Sequence, residues 1–126
     1  MEPNFKSAYE QAVKQADEML GGMNIIANAQ LKQRLSQSAL SVKEQIQSAE
    51  KVASRTAPKA EYEAEMSGRL AALEQAINLV TVAVKKKALL DHYAQLQSSV
   101  NKMNALLGSI QRVQQKLNRY PRRSFR

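Results

Sequence analysis

The amino-acid sequence predicts an all-α protein, an up-down antiparallel four-helix bundle that assembles into a homo-oligomer. Helix-forming Ala, Gln, Leu, Lys and Glu dominate the chain, and only four glycines and three prolines interrupt it. Apolar residues also recur at steps of three and four along four separate segments. A chain of 126 residues is the usual size of one domain. We therefore predict one bundle over residues 1–119 and a flexible basic tail over residues 120–126.

The first two helices should be separated by a glycine pair. The first is predicted from Asn4 to Met19, with an apolar face made by Phe5, Tyr9, Ala12, Ala16 and Met19. The pair at positions 21–22 should end it, because glycine readily adopts the left-handed conformation that closes a helix. The second helix is predicted to begin near Asn28, and its apolar stripe comprises Leu31, Leu35, Ala39, Val42, Ile46, Ala49 and Ala53. Pro58 should separate this helix from the third.

The third helix repeats the same spacing, with Tyr62, Met66, Leu70, Leu73, Ile77, Val80 and Val84 on one face. Its later part, "AINLVTVAV", is apolar on nearly all sides and is expected at the bundle's centre or at a subunit contact. Taken alone, this run is also compatible with a buried strand. The segment "KKKALLD" interrupts the pattern. The fourth helix follows, with Tyr93, Leu96, Val100, Met103, Leu107, Ile110, Val113 and Leu117 inward, and Pro121 stops it.

The formal net charge of +8 is concentrated near the carboxyl end. Residues 1–60 contain eight basic and six acidic side chains, and residues 61–91 contain four basic and five acidic ones. Residues 92–126 contain seven basic side chains and no acidic one. A surplus placed in this way concerns partners and solubility rather than the fold.

Two groups of basic residues are the candidate nucleic-acid-binding residues. Arg112, Lys116 and Arg119 recur at helical spacing and should line one face of the fourth helix. A ridge without acids suits the phosphates of RNA or DNA, because Arg donates paired hydrogen bonds to phosphate and bound counterions are released. Tyr120 and Phe125 could stack on exposed bases. The first group comprises Lys102, Arg112, Lys116, Arg119, Arg122, Arg123 and Arg126; the second comprises Lys85, Lys86 and Lys87, in the predicted link before the fourth helix. The alternative for the first group is a solvated tail.

The sequence contains no recognisable catalytic constellation, so we expect no enzyme, no cofactor and no metal. His92 is the single histidine and cysteine is absent, which leaves a metal site or general base without convergent partners. We expect His92 at an exposed position or near the start of the fourth helix. The acidic residues Glu61, Glu63 and Glu65 fall in the first turn of the third helix, where they stabilise the positive end of the helix dipole. A glycine-rich phosphate loop and a nucleophile elbow are both missing.

The composition also bears on the compartment. The lack of cysteine suits a reducing environment, and the sequence has neither the pattern of a signal peptide nor an apolar run of membrane-spanning length. We therefore expect a soluble, unprocessed, cytoplasmic protein without a membrane partner.

The order of segments resembles a known family. The stretches "NAQLKQRLSQSALSVKEQIQSAEKV" and "EMSGRLAALEQAINLVTVAVKKKALLDHYAQLQSSVNKMNALLGSIQR" are similar to the small four-helix-bundle proteins related to the ribosomal intervening-sequence protein and to the accessory variability determinant of diversity-generating retroelements. Met103, Leu106, Leu107 and Gly108 match the family's last-helix signature. The resemblance covers about residues 5–115. Ser109 stands where a second glycine is usual, and the "NIAEG"-like stretch of the ribosomal branch is missing, so the retroelement branch fits better.

The resemblance implies a barrel-like homopentamer with a basic surface. Such a protein binds nucleic acid and a reverse transcriptase, and helps the enzyme to copy template RNA into cDNA. From the residues themselves, Gly68, Ala72, Ala76 and Ala83 form a stripe of small side chains that suits either internal packing or a subunit contact. Two other functions stay open at this point, a helical adaptor that binds an acidic protein and a peripheral membrane protein.

Overall fold

The part of the chain that the structure describes contains four long helices, in the order that the sequence predicts. The computed structural model describes residues 3–54 and 57–119, and their side chains as far as residue 110. It contains α1 (Pro3–Gly22), a short 3-10 helix (Met23–Ile25), α2 (Ala29–Ala53), α3 (Lys59–Ile77) and α4 (Ala83–Arg119). No strand occurs in the described residues, which confirms the all-helical class. The predicted tail over residues 120–126 lies outside these ranges.

Helices adjacent in sequence run antiparallel, because in each pair a later residue of one helix contacts an earlier residue of the next. Between α1 and α2, Asp17 forms an ion pair with Lys43 at 2.7 Å, and Tyr9 bonds to Glu50. Between α2 and α3, the Arg69 guanidinium donates to the carbonyl oxygen of Ser41 at 2.9 Å, and Gln45 donates to the carbonyl oxygen of Tyr62 at 3.1 Å. Between α3 and α4, the hydroxyl of Tyr93 donates to the carbonyl oxygen of Leu70 at 3.2 Å, and the hydroxyl of Tyr62 donates to Asn104 at 2.8 Å. Alternating helix directions and short connections are the defining features of an up-down bundle.

The predicted apolar stripes form the core with few exceptions. α2 begins near Asn28 as predicted, and Asn28 caps it, since its side-chain oxygen accepts a 2.9 Å hydrogen bond from the backbone N–H of Leu31. The buried residues of the predicted stripes are Phe5, Ala12, Ala16, Met19, Leu35, Ala39, Val42, Ile46, Ala49, Tyr62, Met66, Leu70, Leu73, Ile77, Val80, Tyr93, Leu96, Val100, Met103 and Leu107. The side chains of Val113 and Leu117 lie outside the described part.

The apolar run between the third and fourth helices is buried only in its first part. α3 ends at Ile77, and the backbone N–H groups of Leu79 and Val80 donate to carbonyls three residues earlier, which tightens the chain into a turn. Leu79 and Val82 are each about half exposed, at 49% and 51%, and Val84 is 80% exposed in the first turn of α4. The expectation that the run lies at the bundle's centre is therefore wrong for these three side chains, and the alternative of a subunit contact stays a prediction.

The glycine pair is also used differently from the prediction. Gly21 and Gly22 both lie in the last turn of α1, and Gly22 has an ordinary right-handed helical backbone, with φ of −65°. Gly22 instead provides space: a Cβ atom there would lie 3.0 Å from Cδ2 of the His92 ring. His92 itself is half-buried in the third turn of α4, which corrects the expectation of an exposed site or a helix start.

Candidate nucleic-acid interface

The candidate basic residues that the structure describes are distributed along one long helix. At 37 residues, α4 is about 55 Å long at 1.5 Å per residue. Lys85, Lys86 and Lys87 occupy its first two turns, not a link before it as the sequence suggested. Lys102 follows about 22 Å further along, at the same rise per residue. The α4 backbone continues through Arg112, Lys116 and Arg119, whose side chains lie outside the described part, and Arg122, Arg123 and Arg126 lie outside the described residues altogether.

The patch at the amino-terminal end of α4, Lys85–Lys87, is accessible, but an acidic side chain compensates part of its positive charge. Lys87 forms a 3.0 Å ion pair with Asp91 one turn later, and both side chains are mostly exposed. An exposed pair of this kind contributes about 0–1 kcal/mol, so a phosphate can displace the carboxylate at little cost. Lys85 and Lys86 are half-buried. The patch also sits at the positive end of the α4 dipole, which adds to the local positive potential.

The remaining described candidate, Lys102, lines a groove between α1 and α4. The volume of this groove is about 620 Å³. The polar residues that line it are Asn4, Ser7 and Gln11 from α1 and Ser98, Ser99 and Lys102 from α4. None of the described lining residues is acidic. Lys102 is exposed at this groove, whereas several cations elsewhere contact carboxylates.

Other surface grooves have a different charge character. The groove between α3 and α4 includes Glu63 and Glu74 among its lining residues, and a depression along α3 includes Glu61 and Glu65. Carboxylates at these positions repel phosphate. A smaller depression between α2 and α3 contains two cations, Arg34 and Arg69, and Arg69 is paired with Glu65 at 3.1 Å. The groove between α1 and α4 is larger than this depression and, like it, has a cation and no acidic residue in its described lining.

Three tyrosines hold the helices together as neutral hydrogen-bond donors. Burial, and then a hydrogen bond to Glu50, raise the pKa of Tyr9 to about 12. Burial is the main cause that raises the pKa of Tyr62 and of Tyr93 as well, with nearby carboxylates adding to it. These phenols therefore keep their protons at neutral pH. The aromatic residues predicted to stack on bases, Tyr120 and Phe125, lie outside the described residues.

Two surfaces of the protein were not predicted from the sequence. The groove residues Ser98, Ser99 and Gln11 are ordinary helix-surface types, and no spacing signal distinguishes them before two helices are placed side by side. The second surface lies at the end of the bundle where α3 turns into α4. Four exposed apolar side chains occur at that end: Ile25, Leu79, Val82 and Val84. The last three belong to the apolar run that was expected at the bundle's centre or at a subunit contact.

The described residues contain no group of three or more His, Cys, Asp and Glu side chains that could hold a metal ion. In the same part of the chain, no helix combines the length and the apolar character of a membrane span. Comparison of the chain with protein-family models, with curated proteins and with solved structures found no match.

Proposed function

We propose that this protein is a non-catalytic accessory protein that binds RNA or DNA through phosphate contacts, without strong sequence preference. The observation that carries the proposal is the charge distribution: from residue 92 to the carboxyl end the chain has seven basic side chains and no acidic one. The helical part of that segment belongs to α4, which is 12 residues longer than α2, the next longest helix. A rigid helix that carries cations at intervals along its length is a suitable support for a polyanion.

The mechanism is electrostatic. Each Lys or Arg that contacts a phosphate releases a condensed counterion, and this release supplies free energy regardless of base sequence. Arg112 and Arg119 can donate two parallel hydrogen bonds to one phosphate, whereas Lys102 and Lys116 act as point charges. In this proposal the protein holds and orients the strand, and a partner enzyme performs the chemistry.

The partner that the family resemblance suggests is a retroelement reverse transcriptase, with this protein as a homo-oligomer, a pentamer by the same resemblance. The exposed apolar side chains at the α3–α4 turn support an assembly or partner contact, because exposed apolar side chains grouped at one end of a domain often mark such a contact. The same feature favours a second candidate function, a helical adaptor whose partner is a protein and not a nucleic acid.

Salt titration of binding to a generic single-stranded RNA tests the proposal. If about six phosphates are neutralised, log affinity should fall against log salt with a slope of about −4. Replacing Arg119, Arg122 and Arg123 by Gln should weaken binding and leave helicity and melting unchanged. The matched control replaces Lys6, Lys14 and Lys32 by Gln, which removes the same amount of charge from α1 and α2. Absence of binding at low salt, or a flat salt dependence, would leave the adaptor function as the better explanation.

A further inference from the structure

We propose that the groove between α1 and α4 is the seat of a single-stranded nucleic-acid backbone, with Lys102, Ser98 and Ser99 on one wall and Asn4, Ser7 and Gln11 on the other. This inference rests on the proposed function and adds a defined site to it. The basic carboxyl-terminal segment then supplies additional phosphate contacts beyond the end of the groove.

The chemistry of the lining matches a sugar-phosphate chain. Hydroxyl groups of serine donate to phosphate oxygens and accept from sugar hydroxyls, and side-chain amides do both. Lys102 provides the positive charge that an isolated set of hydroxyls would lack. The groove also presents apolar surface, to which Ala8 and Leu106 contribute.

The dimensions also suit a chain of nucleotides rather than a small anion. Asn4, Ser7 and Gln11 lie on successive turns of one face of α1 and extend over about 10 Å along the helix axis. A groove volume of about 620 Å³ is far more than one phosphate ion needs. Polar groups repeated along two parallel walls provide contacts for successive nucleotides without selecting a base, as expected for binding that is insensitive to sequence.

The groove is oriented toward the basic segment. Beyond Lys102, α4 continues in the same direction to Arg112, about 15 Å further along the helix axis, and then to Lys116 and Arg119. In the opposite direction the charges are mixed, since Lys14 and Glu18 on α1 are both exposed and Asp91 on α4 is paired with Lys87. A strand in the groove therefore meets only basic charges on α4 toward the carboxyl end.

A pair of charge-matched double variants tests the groove. The first combines Ser7→Glu with Lys102→Glu, and the control combines Lys6→Glu with Gln97→Glu, the sequence neighbours of groove residues on the same two helices. Both doubles change the net charge by −3, and all four positions are exposed. Glutamate is a good helix former, so both variants should fold, which circular dichroism and thermal melting would establish.

Binding of a fluorescent oligouridylate to the full chain, followed by anisotropy at low salt, is the measurement. We expect the groove double to weaken affinity by about tenfold or more and the control by about twofold. The salt slope of the groove double should be shallower by about 0.7 for each phosphate that the protein no longer neutralises. Perturbation of the Ser98 and Ser99 amide NMR signals by the oligonucleotide is a second expected result that needs no variant.

Equal weakening of affinity in the two doubles, or unperturbed Ser98 and Ser99 signals, would overturn the groove while leaving the proposed function intact, provided that the Arg119, Arg122 and Arg123 variant still binds more weakly than wild type. Failure of the wild-type chain to bind the oligonucleotide would instead overturn both.

Discussion

The hydroxyl of Tyr62 donates a 2.8 Å hydrogen bond to Oδ1 of Asn104, and this contact aligns the start of α3 with the later part of α4. The backbone carbonyl of Tyr62 also accepts a 3.1 Å bond from Nε2 of Gln45 on α2. Tyr62 and Gln45 are both buried, so the carbonyl of Tyr62 and the amide of Gln45 depend on each other and not on water for this hydrogen bond. One tyrosine thus joins α2, α3 and α4 and helps to fix the position of α4, the helix that carries Lys102.

Replacing Tyr62 by Phe should reduce the free energy of unfolding by about 1 kcal/mol, since the ring still packs but the interhelical hydrogen bond is removed. Asn104→Ala should have a similar effect, and the double variant should cost less than the sum of the two. Urea unfolding followed by circular dichroism gives all three values. Strict additivity would show that the two side chains do not interact in solution.

The two adjacent glycines of α1 allow a comparison in which only the neighbourhood differs. A Cβ at Gly21 has no neighbour within 4 Å, whereas one at Gly22 would press on the His92 ring. Gly21→Ala should therefore stabilise the protein by about 0.5 kcal/mol through helix propensity. Gly22→Ala should stabilise the protein by less than this amount or destabilise it. In a His92→Ala background the two substitutions should become equivalent, as measured by thermal unfolding. If the two substitutions still differ in stability in the His92→Ala background, the backbone and not the ring would be the cause.

Helix spacing was sufficient to predict four helices, the start of α2 near Asn28 and most of the core, because an amphipathic stripe must be buried whatever the details of the bundle. It failed between Ile77 and Lys87. That segment turns without glycine or proline, through backbone bonds from Leu79 and Val80, and its apolar side chains keep helical spacing across the turn. The groove between α1 and α4 was also beyond sequence reasoning, since it depends on which faces of two distant segments meet.

The exposed apolar end of the bundle should be a contact surface in the homo-oligomer that we propose. A symmetric contact would bring the lysines of one subunit, Lys85–Lys87, against those of the next. A heterologous contact avoids this repulsion if the apolar end meets the acidic start of α3, where Glu61 and Glu65 are exposed. Heterologous contacts form rings when the rotation between subunits closes and filaments when it does not. We therefore expect a heterologous contact in the proposed assembly instead of a twofold one.

Leu79→Glu should then shift the protein toward the monomer in sedimentation velocity experiments. Leu40→Glu on α2 is the matched control, because Leu40 is 47% exposed and Leu79 is 49% exposed, so the two substitutions place the same charge at equally accessible positions. The sedimentation coefficient should fall for the first variant and stay at the wild-type value for the second. A wild-type protein that is monomeric at every concentration would exclude the assembly, and the apolar end would then have to bind a different protein.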